Sequence, residues 1–135
     1  MRARAAIVAV LSTGLAGCLA NYAHAPGQPS ARLKVERKAT PMICVAERPQ
    51  QLMPDAQGYA RVPAGRPITI AAQWEGHDFV CIPSVTLTLE PEARYVQDFS
   101  VRSRACMTTV SREATGGLVP VASSDAGSYG CRGRP

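Results

Sequence analysis

The chain is poor in the side chains that carry most enzyme chemistry. Its 135 residues include only two histidines, so His24 and His77 stand far apart and make a poor metal pair. None of the five cysteines falls in a C-x-x-C pair and their spacings are long, which counts against a Cys-based metal site. No glycine-rich phosphate cradle is present. Gly116-Gly117 lacks the preceding strand and following helix that such a loop requires. No apolar run reaches the ~20 residues that a helix needs to cross the hydrocarbon of a bilayer. After the first seventeen residues no helical period of apolar positions occurs. The residues therefore point to no cofactor and no metal, and we expect no enzyme.

The amino end is more informative. Arg2 and Arg4 precede a short apolar run over residues 7–17, which ends at Leu15-Ala16-Gly17-Cys18 before the chain turns polar. A charged start, a short apolar middle and a small-residue end describe an export signal rather than a span. Ala23-His24-Ala25 has the form of an A-x-A cleavage site, but Pro26 follows it and restricts the backbone a peptidase must hold extended.

Leu15-Ala16-Gly17-Cys18 resembles the lipobox of bacterial lipoproteins. The resemblance covers only about the first twenty residues. It implies that residues 1–17 are a signal peptide removed by cleavage, and that Cys18 carries a diacylglycerol and an acylated amine. Two or more acyl chains hold a protein stably on a bilayer, at ~0.8 kcal/mol per buried methylene. In that family an aspartate after the cysteine favours retention at the inner membrane. Leu19 stands there instead, which implies the periplasmic face of the outer membrane.

The formal charge of +5 includes Arg2 and Arg4, so the chain from Cys18 carries +3. Such a charge fits anionic lipid, a cell-wall carboxylate or an acidic protein, and in a periplasm it does not imply nucleic acid. With Cys18 assigned to lipid, an even number of thiols remains: Cys44, Cys81, Cys106 and Cys131. In an oxidising compartment these read as two disulfides. Of the three pairings, we favour Cys81 with Cys106, taken to lie in consecutive strands. Cys44 with Cys131 would then pin the C-terminal tail.

Residues 18–31 read as a lipidated tether, rich in Asn, Pro, Gly and Gln and without apolar period. From residue 32 to 135 a single small domain is expected. Leu33 and Val35 alternate with Lys34 and Glu36. Ile68, Ile70, Ala72 and Trp74 alternate with Thr69, Ala71 and Gln73. Val85, Leu87 and Leu89 alternate with Thr86 and Thr88. Period two marks half-buried strands. Short strands are also expected at residues 42–46, 59–62, 79–82, 95–101 and 105–111, and a last one near Leu118, Val119 and Val121. About seven short strands separated by turns predict an all-β fold, a small disulfide-stapled β-sandwich. It resembles transthyretin-like or immunoglobulin-like sandwiches, an analogy of fold alone.

Candidate sites are few. His77, Asp78 and Ser84 form the one imaginable hydrolytic set, although neighbours on a strand point to opposite faces. Glu90 and Glu92 flank Pro91 in a turn and read as a solvated pair. Trp74 ends its strand and is a candidate partner contact, as are Arg102 and Arg104. Arg112 extends that basic strip, and Arg132 and Arg134 add charge at the carboxyl end. The reading that follows is a non-catalytic envelope lipoprotein, anchored to the membrane through its lipid. It would bind a protein or cell-wall partner, as a structural accessory of the cell envelope or of a secretion system. The alternative is a periplasmic inhibitor or immunity lipoprotein against a toxin or lysozyme. A basic inhibitor would be repelled by basic lysozymes at long range.

Overall fold

The structure, a computed structural model, describes residues 18–125 and 129–132. The expected signal peptide and Arg134 lie outside the described residues. Ten strands follow one another, with no helix among the described residues: β1 Ser30–Lys34, β2 Thr40–Val45, β3 Arg48–Gln51, β4 Tyr59–Pro63, β5 Pro67–Glu75, β6 Val80–Cys81, β7 Ser84–Thr88, β8 Arg94–Arg102, β9 Ala105–Ala114 and β10 Gly117–Ser123. The chain is all-β and of the small β-sandwich class, with ten strands rather than about seven. β3 was not anticipated because Arg-Pro-Gln-Gln offers no apolar alternation; its pairing with β2 places it. β6 is only two residues long and exists as the return arm of the β5 hairpin.

One sheet has the order β10-β9-β8-β1-β4. Its β1–β8 pair is parallel and its other pairs are antiparallel. The second has the order β3-β2-β5-β6, with β7 also on β5. β5 is long enough to pair with β7 along its first half and with β6 at its end. The main core forms where the alternating positions of both sheets meet: Leu33, Ile43, Val62, Ile70 and Val110 are almost completely shielded. At ~25 cal/mol per Å2, such burial is the principal stabilising term for a domain of this size. A smaller cluster of Ala39, Ala72 and Phe99, with Trp74, Val101, Cys81 and Cys106 half-buried around it, fills one end.

Two disulfides join Cys44 to Cys131 and Cys81 to Cys106, the same pairs favoured from sequence. Cys81 lies in β6 and Cys106 in β9, in different sheets rather than in the consecutive strands expected. The bridge therefore staples one sheet to the other. Cys44–Cys131 holds the tail. Tyr129 pairs with Pro83, Gly130 donates to the Ile82 carbonyl, and Cys131 reaches β2, so the tail crosses β5. Ala71, expected on an open face, is buried together with its cross-strand neighbours Met42 and Ser84.

The segment expected to be a mobile tether is instead tied to the domain. Asn21 forms a parallel bridge with Gln51, Gln51 donates to the Ala20 carbonyl, and Tyr22 donates to the Gln51 carbonyl. Tyr22 packs against the main core, and the Pro29 carbonyl accepts from Ala64. Backbone pairing along the β3 edge outweighs the loop-like composition of the segment, because an open edge offers unsatisfied donors and acceptors to any neighbouring chain.

Candidate functional site

The hairpin end of the small cluster gathers the partner-contact candidates. β5 and β6 turn through residues 76–79, where Gly76 donates to the Phe79 carbonyl. A side chain at Gly76 would strike the Trp74 ring, so any other residue there would displace the indole. Trp74 stacks on Phe79 with centroids 5.1 Å apart and planes at 52°, an aromatic contact in the favoured tilted range. Arg104 stands 5.7 Å over the Phe79 ring and pairs with Asp78 at 3.0 Å. Trp74 and Arg104 thus meet around Phe79, a residue that sequence reasoning passed over. Arg102 ends β8 opposite Ala105, in the same hairpin but without a charged partner among the described residues. Val80 and Met107 leave about half their surface open nearby.

The β8–β9 turn is made by Ser103 and Arg104, both at positive φ (46° and 66°). Type I′ two-residue hairpin turns require positive φ at both central positions, for which Asn-Gly is the usual choice. Non-glycine residues there carry backbone strain of about 1 kcal/mol each. Ala46 and Glu47 close the β2–β3 hairpin in the same way.

The basic strip expected around Cys106 is divided. Arg102 and Arg104 lie at the β8–β9 turn, whereas Arg112 lies toward the other end of β9, opposite Tyr95, and pairs with Glu90 at 2.6 Å. Register decides this, since residues eight apart on one strand are ~27 Å apart along it. His77 is exposed and makes no hydrogen bond among the described residues. Asp78 is held by Arg104, and Ser84 is buried in β7. The imagined hydrolytic set is not assembled. Glu92 is exposed at positive φ and Glu90 is turned to Arg112. His24, in the segment expected to be a tether, is bracketed by the Tyr22 hydroxyl at 3.2 Å and the Gln28 carbonyl at 3.1 Å. No group of three His, Cys, Asp or Glu suited to a metal occurs among the described residues.

A second charged surface escaped sequence reasoning. Arg61, Arg32 and Arg94 stand directly opposite one another across β4, β1 and β8. Lys34 and Tyr59 are opposite each other one row along. The Tyr59 ring is the floor of the group, with Arg94 at 4.6 Å, Arg32 at 4.8 Å and Lys34 at 5.7 Å from its centroid. Asp55 pairs with Arg32 at 3.1 Å and Glu113 with Arg94 at 3.2 Å. The Tyr59 hydroxyl donates to Glu113. That hydrogen bond to a carboxylate, aided by burial, raises the phenol above its ordinary value. Backbone N–H groups of Tyr59 and Gln57, with Arg32, hold Asp55 below the usual carboxylate range. Arg61 and Lys34 are exposed and reach no carboxylate among the described residues. The signal for this cluster was present as outward-phase cations in three separate strands. Only the β1–β4 and parallel β1–β8 registers align them.

Cys18 is exposed and is the one cysteine outside a disulfide. Comparison of the chain with protein-family models, with curated proteins and with solved structures finds no match.

Proposed function

We propose that this protein is a lipid-anchored binding module of the bacterial cell envelope, acylated at Cys18 and facing the periplasm from the outer membrane. It acts as a non-catalytic accessory to a protein or cell-wall partner. One observation carries the reading. Four cysteines are consumed in two cross-links, and the fifth lies exposed two residues before the first backbone contact of the domain, at Ala20. An unshielded thiol beside the domain suits a modifying enzyme, and cross-linked partners suit an oxidising compartment. The Trp74–Phe79–Arg104 end supplies the contact surface. Aromatic and arginine side chains over a rigid, cross-linked turn are the groups that dominate protein interfaces.

The pairing of Ala20 with the β3 edge sharpens the geometry. Two residues span at most about 7 Å, so acyl chains at Cys18 would hold the domain against the bilayer rather than at the end of a tether. The experiment is growth of the native host with labelled palmitate. Label is expected in the wild-type protein recovered from the outer membrane, and none in Cys18→Ser. Recovery of an unmodified amino end from the cytosol would overturn the proposal.

A further inference from the structure

The row of cations across β4, β1 and β8 breaks a rule of sheet construction. Like charges directly opposite one another are destabilising, and here Arg32 has an arginine on each side. Asp55 and Glu113 offset two of the four cations, and Arg61 and Lys34 leave two positive charges in excess. The two ion pairs are themselves substantially exposed, so they are weak and can yield to a competing anion. Packing against Tyr59 holds the guanidinium groups of Arg32 and Arg94 in place before any ligand arrives. Guanidinium forks favour oxyanions that accept two parallel hydrogen bonds, such as phosphate.

An exposed apolar side chain borders the row. Arg32, Arg61, Tyr59 and Asp55 share a shallow cleft of about 400 Å3 with Met53 and Pro54. Met53 is 54% exposed. Cations bordering an exposed apolar side chain match the boundary of a bilayer, where phosphates overlie acyl chains.

We propose that Arg32, Lys34, Arg61 and Arg94, with Met53 beside them, form a site for the phosphate headgroups of anionic phospholipids. The occupant is the membrane surface itself. The proposal deepens the reading of the protein as membrane-anchored, because a domain held within a few ångströms of the bilayer meets headgroups at high local concentration. It gives the anchored domain a fixed orientation, with the β10-β9-β8-β1-β4 sheet toward the lipid.

The test uses the chain from Cys18 onward carrying Cys18→Ser, so that no acyl group contributes. Every described strand and both disulfides lie in that stretch, so it contains the whole fold. Sedimentation is measured with phosphatidylcholine vesicles, with and without phosphatidylglycerol. Binding is expected only with phosphatidylglycerol and is expected to weaken as salt rises. Lys34→Gln with Arg61→Gln removes two charges that have no ion-pair partner, so the fold should persist, as the urea midpoint will verify. That variant should bind roughly 30-fold more weakly, at about 1 kcal/mol per surface cation. Arg48→Gln with Arg132→Gln removes equal charge beside the other sheet and should bind as the parent does. Competition by pyrophosphate in solution would show that phosphate alone is recognised; its failure to compete would show that the site needs the apolar boundary as well. Equal binding to both vesicle types, or equal loss in the two double variants, would overturn the site. Palmitate labelling reads acylation separately, so failure here leaves the acylation proposal standing, whereas failure there removes the anchor on which this choice of occupant rests even if the vesicles bind.

Discussion

The two hydrophobic clusters of this domain are held by different means. The main cluster draws Leu33, Ile43, Val62, Ile70, Val85 and Val110 from strands of both sheets, and burial of these side chains is its largest stabilising term. The end cluster has only Ala39, Ala72 and Phe99 fully inside, with Trp74 and the Cys81–Cys106 bridge half-open at its rim. So little apolar area cannot fix an aromatic hairpin by itself. A covalent link between β6 and β9 substitutes for missing core. A rim built this way can leave Trp74, Val80 and Met107 partly exposed without losing its shape, as the proposed contact surface would need.

Removing each disulfide tests that difference. Cys44 and Cys131 are 87 residues apart and Cys81 and Cys106 are 25 apart. By loop entropy the long bridge stabilises by about 4–5 kcal/mol and the short one by about 3–4 kcal/mol. Cys44→Ala with Cys131→Ala should therefore lower the urea midpoint more. Its native Trp74 emission should stay as in wild type, because the main cluster and the end rim are untouched. Cys81→Ala with Cys106→Ala should lower the midpoint less, yet shift Trp74 emission to the red at zero urea with far-UV circular dichroism unchanged. Trp74 is the sole tryptophan, so the signal is unambiguous. An unshifted emission in the second variant would mean that packing, not the bridge, holds the rim.

The two strained hairpins give a smaller contrast. Glu47→Gly relieves a positive φ at a residue with no ion pair among the described residues, and should raise stability by about 1 kcal/mol. Arg104→Gly relieves the same strain but loses the contacts to Asp78 and Phe79. Its gain in thermal midpoint should be the smaller of the two. An equal gain would show that the Arg104 contacts contribute nothing to the rim.

The smallest effect is a dependence on pH at the edge of the cationic row. The carboxyl of Asp55 is held low chiefly by the Tyr59 N–H, so the folded state binds its proton less readily than the unfolded chain. Its contribution is present above the unfolded value of ~3.9 and is lost as pH falls through the lower folded value. Between about pH 5 and pH 2 the wild-type urea midpoint should fall more steeply than that of Asp55→Asn. Parallel curves would mean that these hydrogen bonds do not distinguish folded from unfolded chain. Tyr59 acts in the opposite sense. Its raised phenol contributes stability below ~10 that is lost as pH rises through the folded value.

Strands with strict alternation were legible from sequence: β5 carries Ile68 and Ile70 inward and β7 carries Val85 inward, with Leu89 buried just past its end. β3 was not, since its residues carry no pattern and its place depends on β2. Val119 and Val121 were expected in a last strand and do lie in β10. Being apolar did not bury them, because β10 is the outermost strand of its sheet. The segment around Asn21 has loop composition and still pairs, because the open β3 edge accepts backbone from any residue type. Of the contact candidates, Trp74 was visible as a strand-end indole, while Phe79 and the Arg61–Arg32–Arg94 row were hidden in relations between strands.

Sequence by itself determined the all-β class, the alternation that builds the main core, and a lone thiol at Cys18 followed by an even set of cysteines. Those depend on local period and on counting, which need no partner strand. Tertiary structure alone decided which cations stand together, where Arg112 parts from Arg102 and Arg104, and how closely Cys18 precedes the folded domain. Register and edge pairing set those relations, and both arise between segments far apart in the chain.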